Sequence, residues 1–382
     1  MTHHAEPSVL NELPRFGLGA AGLGNLYSEV SEIEALDALL AARDAGLDLI
    51  DTSPFYGHGL SEQRIGDCLA QTDWHPSLST KVGRVLEPAG EDPVPDNGFA
   101  SPAPFIPRFD YSAAGIRHAF AGSKARLGVD RVDTLLLHDI GRQTHGDAHE
   151  DILRQALSEA LPEMAAMKAE GLTRRIGLGV NEVEVCAEVI DQFELDCLLI
   201  AGRYTLLEHE ESLPFLDTCH QRGIEVMIGG AFNSGLLAAE PDQPLHYNYD
   251  TAPDWAVERT ARLRHICDSF GIPLPAAALQ FCAAHPAVTT VLAGARTGKE
   301  IRQIAEWAQM DIDPDVWVAL RKNDLIADNA PVRLMVVDLA GKASACTLKT
   351  DHHYWPTLQL RYDRGAGKWQ LAQVRALSDA PE

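Results

Sequence analysis

No stretch of this chain approaches the roughly 18 consecutive apolar residues that a membrane-spanning helix needs, although 46% of its 382 residues are apolar. Basic residues are also scarce. Thirty-two Lys and Arg stand against 55 Asp and Glu, a formal charge of −23 at pH 7. Nucleic acid and anionic membranes both call for a positive field, so neither is expected as a partner. An anionic small molecule would have to be held by local cations and backbone N–H groups. Cysteines number seven, scattered, with no C-x-x-C pair. That excludes a disulfide framework and a zinc site by spacing, and no metal is expected. Cys186, Cys197 and Cys282 sit in apolar surroundings and read as small core residues. The opening MTHHAEPSVLNELPRFG lacks the basic-then-apolar pattern of a signal peptide, so a reducing cytoplasm is the expected compartment. A small molecule is the expected partner, for a monomer or a small homo-oligomer.

What the chain does contain is a repeated alternation. Eight short apolar runs, rich in Gly or β-branched residues, fall at 16–24, 47–53, 78–85, 132–138, 175–181, 196–203, 224–232 and 288–295. Segments with helical spacing separate them. One opens with a Ser-x-x-Glu capping box, Ser31 and Glu34, and closes at Gly46; another runs from Glu150 to Glu170 and closes at Gly171. Strand alternating with helix eight times predicts a parallel sheet, and that count predicts a (β/α)8 TIM barrel over residues 1–330. The rival open, doubly wound sheet lacks support: GLGAAGLG, with Gly17, Gly19, Gly22 and Gly24, is not followed directly by a helix. Those glycines read equally well as close packing or as backbone approaching a ligand. Residues 86–109 hold six prolines and no periodicity. They predict a long irregular loop at the barrel mouth. Beyond Ala330 the pattern changes to short alternating runs, predicting a β-meander extension over 331–382.

Strand ends are where α/β enzymes place their chemistry. Asp51 ends the run Leu47–Ile50, and Tyr56 follows between Pro54 and Gly57. Lys81 and His138 end two later runs. A free phenol has a pKa near 10 and carries protons poorly at neutrality. An adjacent ammonium favours the phenolate, a carboxylate holds that ammonium charged, and a histidine can orient a substrate oxygen. The four together suit hydride transfer at a carbinol carbon, the hydride itself coming from a cofactor.

Over roughly residues 14–328 the chain resembles the aldo-keto reductase family. The motifs are LDLIDTSPFYGHGLSEQRIG, LSTKVGR, RLGVDRVDTLLLHD, AFNSGLL and VLAGARTGKEI. The resemblance implies Tyr56 as general acid/base, Lys81 and Asp51 as its tuning pair, and His138 as substrate orienter. The segments FDYS, GRYTLLEHE and AFNSGLL look like the bacterial D-threo-aldose (L-fucose) 1-dehydrogenase group, which includes pyridoxal 4-dehydrogenases. That implies NAD-linked oxidation of a cyclic hemiacetal at C1 to the lactone, with hydride passing to nicotinamide C4. The alternatives are a pyridoxal 4-dehydrogenase, a general aldehyde or ketone reductase, or a non-catalytic nucleotide-sensing subunit.

Cofactor contacts carried by the resemblance are Gly22, Asp51, Asn181, Tyr204, Phe232, Asn233, Ser234, Gly235, Leu236, Gly294, Ala295, Arg296 and Glu300. Where NADP-using relatives grip the 2′-phosphate with Lys and Arg, this chain has Gly294 and Glu300, which favours NAD and leaves NADP possible. Phe232 or Tyr204 stands in for the ring that stacks on nicotinamide. Substrate contacts are expected from Tyr27, Phe55, Tyr56 and His138, with His58, Asp139 and Arg142 as further hydrogen-bonding candidates.

Overall fold

The computed structural model describes residues 16–239, 245–248, 250–337, 343–348, 356–363 and 368–376, with side chains as far as Val332. All eight expected strands form. They are β1 (Phe16–Gly19), β2 (Leu49–Asp51), β3 (Ser77–Val82), β4 (Val132–His138), β5 (Thr173–Val180), β6 (Cys197–Ala201), β7 (Glu225–Gly229) and β8 (Val288–Gly294). Each pairs parallel with its neighbours, and β8 returns to β1, so the sheet closes as a (β/α)8 barrel. Leu49, Leu136, Cys197, Leu199, Met227 and Leu292 fill it as one buried cluster. Bulky side chains stacked this way make a barrel interior a packed core rather than a pore.

Two compact units divide the chain. The first takes in the described residues of Met1–Ala201, Cys219–Gly230 and Ala287–Ala305, including every barrel strand. The second takes in those of Gly202–Thr218, Ala231–Pro286 and Glu306–Glu382. The division therefore falls within the expected barrel segment, not at Ala330. In the second unit, Arg259 on one helix donates to the Leu207 and Leu325 carbonyls, and Gln280 on another donates to those of Trp307 and Met310. The four strands after Ala330 (Val332–Val337, Ala343–Leu348, Pro356–Asp363, Lys368–Ala376) pair as two separate antiparallel hairpins. A continuous meander would join the middle two, and among the described residues they do not pair.

The local reading of helix starts holds at Glu32–Asp44. Ser31 accepts from the Glu34 amide and Glu34 accepts from the Ser31 amide, the reciprocal capping box expected. The segment 86–109 departs from expectation. Arg84–Pro88 and Phe105–Phe109 form an antiparallel hairpin. A two-stranded ribbon has two free edges, so Pro88 and Pro107 need donate no ladder hydrogen bond there. Among the described residues no helix is long and apolar enough to cross a membrane, and no cluster of His, Cys, Asp and Glu could hold a metal ion.

Candidate active site

Parallel register brings three strand ends to one mouth. Asp51 lies opposite Ser79, Lys81 opposite Leu136, and His138 opposite Gly179. Space for the lysine stem comes from β5: a Cβ on Gly179 would stand 3.2 Å from Lys81 Cε. Tyr56 is held by a glycine pair. Gly57 has φ +62°, and a Cβ there would sit 2.4 Å from the Gly24 carbonyl oxygen, so the first and second loops meet backbone to backbone.

The four expected catalytic residues converge. Lys81 Nζ donates to Asp51 Oδ2 at 2.6 Å, to the Thr52 carbonyl at 2.8 Å and to Tyr56 Oη at 3.1 Å. Ser79 donates to the other Asp51 oxygen at 2.8 Å. Asp51 and Lys81 are 3% and 1% exposed, so theirs is a buried ion pair. His138 stands edge-on to Tyr56, ring centres 6.3 Å apart.

Burial would drive the proton off Lys81, but Asp51 and Tyr56 outweigh it and the lysine stands above its ordinary value. Burial likewise pushes the Asp51 carboxyl up, against the pull of Lys81 and Ser79. Tyr56 corrects the sequence reading. Lys81 does pull the phenol down, yet burial wins and the net direction is upward. Around neutrality Tyr56 is therefore a protonated acid held by an ammonium, not a standing phenolate. Burial, aided by Arg84 and Lys81 and opposed by Asp139, drops His138 well below its usual value, so its imidazole is neutral.

The loop from the third-strand hairpin closes over the phenol. Tyr27 N–H donates to Gly98 O, Ala100 N–H to Asn25 O and Ala103 N–H to Gly57 O. Phe99, 3% exposed, sits 5.5 Å from Phe55 and 6.2 Å from Tyr56, centre to centre. Phe55 lies at this wall, 6.2 Å from His138. Tyr27, 41% exposed with φ +67°, belongs to the same roof. His58 is buried, its Nε2 3.1 Å from the Asn97 amide. Arg142 pairs through Nη2 with exposed Glu150, and Asp139 pairs through Oδ2 with Arg84 at 2.8 Å.

Among the cofactor expectations within the first unit, Gly22 packs against the Ala295 backbone: a Cβ would lie 2.7 Å from Ala295 O. At Gly22 the close approach is to the protein's own backbone. Asp51 spends its oxygens on Ser79 and Lys81. Asn181 follows β5, half-buried. Gly294 ends β8 exposed, and the nearest atom to a Cβ there is Gly19 O at 4.0 Å. Ala295 is buried, and Arg296 N–H donates to Glu300 Oε2 at 2.7 Å. Thr297 Oγ1 accepts from Glu300 N–H at the start of the helix Gly298–Gln309. Exposed glycine backbone leading to a helix N-terminus suits a phosphate. These residues fit a dinucleotide.

The remaining expectations lie in the second unit. Tyr204 is fully buried, stacked 5.4 Å from Phe281 with His285 against its edge. A ring without an exposed face has none to offer nicotinamide, and it is a core residue. Phe232 meets Trp307 edge-on. Asn233 (φ +47°) and Ser234 (φ +58°) form a left-handed turn that Gly235 continues (φ +93°), and Leu236 is buried. Asn233 donates to Glu208, which also accepts from Tyr247.

Two residues escaped the sequence reading. Arg64, buried, donates to Leu23 O, Asn25 Oδ1 and Val30 O, and so pins the loop that carries Tyr27. Arg84 contacts His138 directly. Its signal was the V-G-R step, a glycine that turns the chain followed by a cation. Gly83 has φ +104°, and a Cβ there would strike Tyr111 at 2.6 Å.

A closed parallel barrel with an acid, an ammonium, a phenol and an imidazole at its C-terminal mouth is the apparatus of a hydride-transfer oxidoreductase. The chain matches the Aldo/keto reductase family over residues 15–324 and belongs to it; it is an NAD(P)-dependent oxidoreductase. It is 40% identical over 325 residues to pyridoxal 4-dehydrogenase of Microbacterium luteolum, covering 81% of this chain and 94% of that protein. It is 38% identical over 323 residues to D-threo-aldose 1-dehydrogenase of a Pseudomonas species, covering 82% and 95%. The glycerol dehydrogenase from Gluconobacter oxydans shares the fold, with TM-score 0.65 and 21% identity over 84% of this chain and 94% of that one.

Proposed function

We propose that the protein oxidises an aldose of the L-fucose or D-threo type at C1 to the lactone, with NAD as hydride acceptor. The observation that carries this reading is the chain Asp51–Lys81–Tyr56, with contacts of 2.6 and 3.1 Å, beside a neutral His138. His138 would orient the substrate oxygen and Tyr56 would exchange its proton, while Lys81 holds the phenolic oxygen in place. Bound nicotinamide supplies the hydride chemistry. Gly294, Ala295 and Arg296 would face its phosphates, and Asn181 its amide.

The direction of the Tyr56 shift sets the pH dependence. Oxidation needs the phenolic oxygen as base, and the phenol's pKa lies above its ordinary value. Oxidation should therefore accelerate with pH through the alkaline range, about tenfold per unit until the phenol titrates. Reduction by the same enzyme needs the protonated phenol and should stay level over that range.

Glu300 supports NAD over NADP: a carboxylate repels a 2′-phosphate and accepts from a ribose hydroxyl. A pyridoxal 4-dehydrogenase is the second reading. It is favoured by the relative at 40% identity and by half-buried Phe55 beside His138, a ring that suits a flat substrate. The test is a panel of L-fucose, D-arabinose and pyridoxal with each cofactor, followed at 340 nm. Turnover of none of them by folded enzyme refutes both readings. Tyr56→Phe should cost about 10²–10⁴ in kcat with NAD binding retained.

A further inference from the structure

Arg84 is 6% exposed, yet it does not belong to the four-residue proton chain. Gly83 turns the chain out of β3, and the hairpin strand then delivers the guanidinium back over His138. Nη1 stands 2.9 Å from His138 Nδ1, and Nη2 donates to Asp139 Oδ2 at 2.8 Å. Phe55 and Phe109 flank the guanidinium, their ring centres 4.2 and 4.5 Å from its central carbon. Asp139 is itself held in a left-handed conformation, φ +50°. The buried Tyr111 hydroxyl donates to the carbonyls of His138 and Asp139 at 2.9 and 3.0 Å. Contacts on the Asp139 carboxylate, the His138 ring and both backbone carbonyls thus hold this pair.

We propose that Arg84 is a positioning residue for the reaction, fixing His138 as the tautomer that carries its hydrogen on Nε2. A guanidinium has only donors. The nitrogen facing Nη1 must then be an acceptor, so Nδ1 is bare and the ring hydrogen sits on Nε2. Ser53 Oγ, 3.3 Å from the same Nδ1, also has a proton to donate there. A neutral imidazole locked this way has one donor, Nε2–H; that nitrogen stands 3.4 Å from Asp139 Oδ2, and its hydrogen is the one a substrate oxygen would receive. Without Arg84 the ring could exchange tautomers and present a lone pair instead. The groups facing the ring are Arg84, Lys81, Asp139 and Tyr56, and only Asp139 is anionic in the resting state. Removing Arg84 would leave Asp139 free to draw a second proton onto the imidazole.

The catalytic part of this inference rests on the hydride-transfer reading above; the tautomer does not. The primary test is therefore ¹⁵N-detected histidine NMR on the full-length, cofactor-free protein, the His138 signals being assigned by their loss in His138→Gln. The expected result is a pyridine-like Nδ1 and a pyrrole-like Nε2. A wild-type protein with hydrogen on Nδ1 overturns the proposal before any Arg84 variant is made. Arg84→Met should mix the tautomers and lower kcat by about 10–100-fold, the range known for loss of the hydrogen-bond partner that orients a metal-ligating histidine. It should also add an acidic limb to the kcat profile. Arg84→Lys keeps the cation and should remove that limb again. Unchanged His138 shifts, kcat and pH profile in folded Arg84→Met also overturn the proposal. An arginine needed only for packing would lower Tm and leave all three untouched. If no substrate is turned over, the function reading fails while the tautomer is still decided by the spectrum.

Discussion

Replacing Lys81 by Met tests the buried ion pair at the centre of the site. Asp51, 3% exposed, would keep Ser79 and lose the ammonium 2.6 Å away. An orphaned buried charge costs about 3–5 kcal/mol. The carboxyl has an escape, which is to take up a proton. From an ordinary pKa near 3.9, holding that proton at pH 7 costs 1.36 kcal/mol for each of about 3.1 units, or about 4 kcal/mol. Protonation therefore caps the penalty, and the cap falls with pH to about 1.5 kcal/mol at pH 5. In the variant the folded-state pKa is raised above the unfolded one, so the folded state binds the extra proton and stability returns as pH falls. The reference is the double variant Asp51→Asn with Lys81→Met, which carries no charge at either position. At roughly 2 °C per kcal/mol for a chain of this size, the single variant should melt about 8 °C below the double at pH 7 and about 3 °C below it at pH 5. Thermal unfolding followed by circular dichroism measures both. A single variant that melts with the double at pH 7, or whose deficit does not shrink between pH 7 and 5, refutes the reasoning that Asp51 is a buried charge satisfied by Lys81.

Glu300→Gln removes the carboxylate beside Arg296; at a half-exposed site worth about 1 kcal/mol, the NADP-to-NAD ratio of kcat/KM should rise roughly fivefold, and an unchanged ratio would remove Glu300 from cofactor choice. Gly57→Ala puts a Cβ 2.4 Å from Gly24 O at φ +62°. It should cost about 1–3 kcal/mol in denaturant melts and lower kcat by displacing Tyr56; a wild-type melt would show that the two loops do not meet as described. Ser31→Ala, at the capping box of the first helix, should cost about 1 kcal/mol and leave kcat unchanged, a control separating stability from chemistry.

Periodicity and capping are written in neighbouring residues, so the strands, the Ser31 cap and the order of Asp51, Tyr56, Lys81 and His138 were legible without coordinates. A parallel barrel also dictates that strand ends share one mouth, which is why residues 87 positions apart, Asp51 and His138, could be assigned to one site. Composition could not show that the proline-rich 86–109 segment begins and ends as a hairpin, because its pairing joins residues with no shared period. Nor could it tell a ligand-facing ring from a core ring at Tyr204, since the same aromatic serves both.

The order of the acid, phenol, ammonium and imidazole, and the barrel that gathers them, are consequences of the amino-acid sequence read locally. The protonation state of the phenol was decided only by tertiary structure. Lys81 pulls Tyr56 down through a single contact, whereas burial acts through every atom that excludes water from it, and those atoms come from loops far apart in the chain. The same holds for His138, whose tautomer depends on a guanidinium that reaches it only because Gly83 turns the chain.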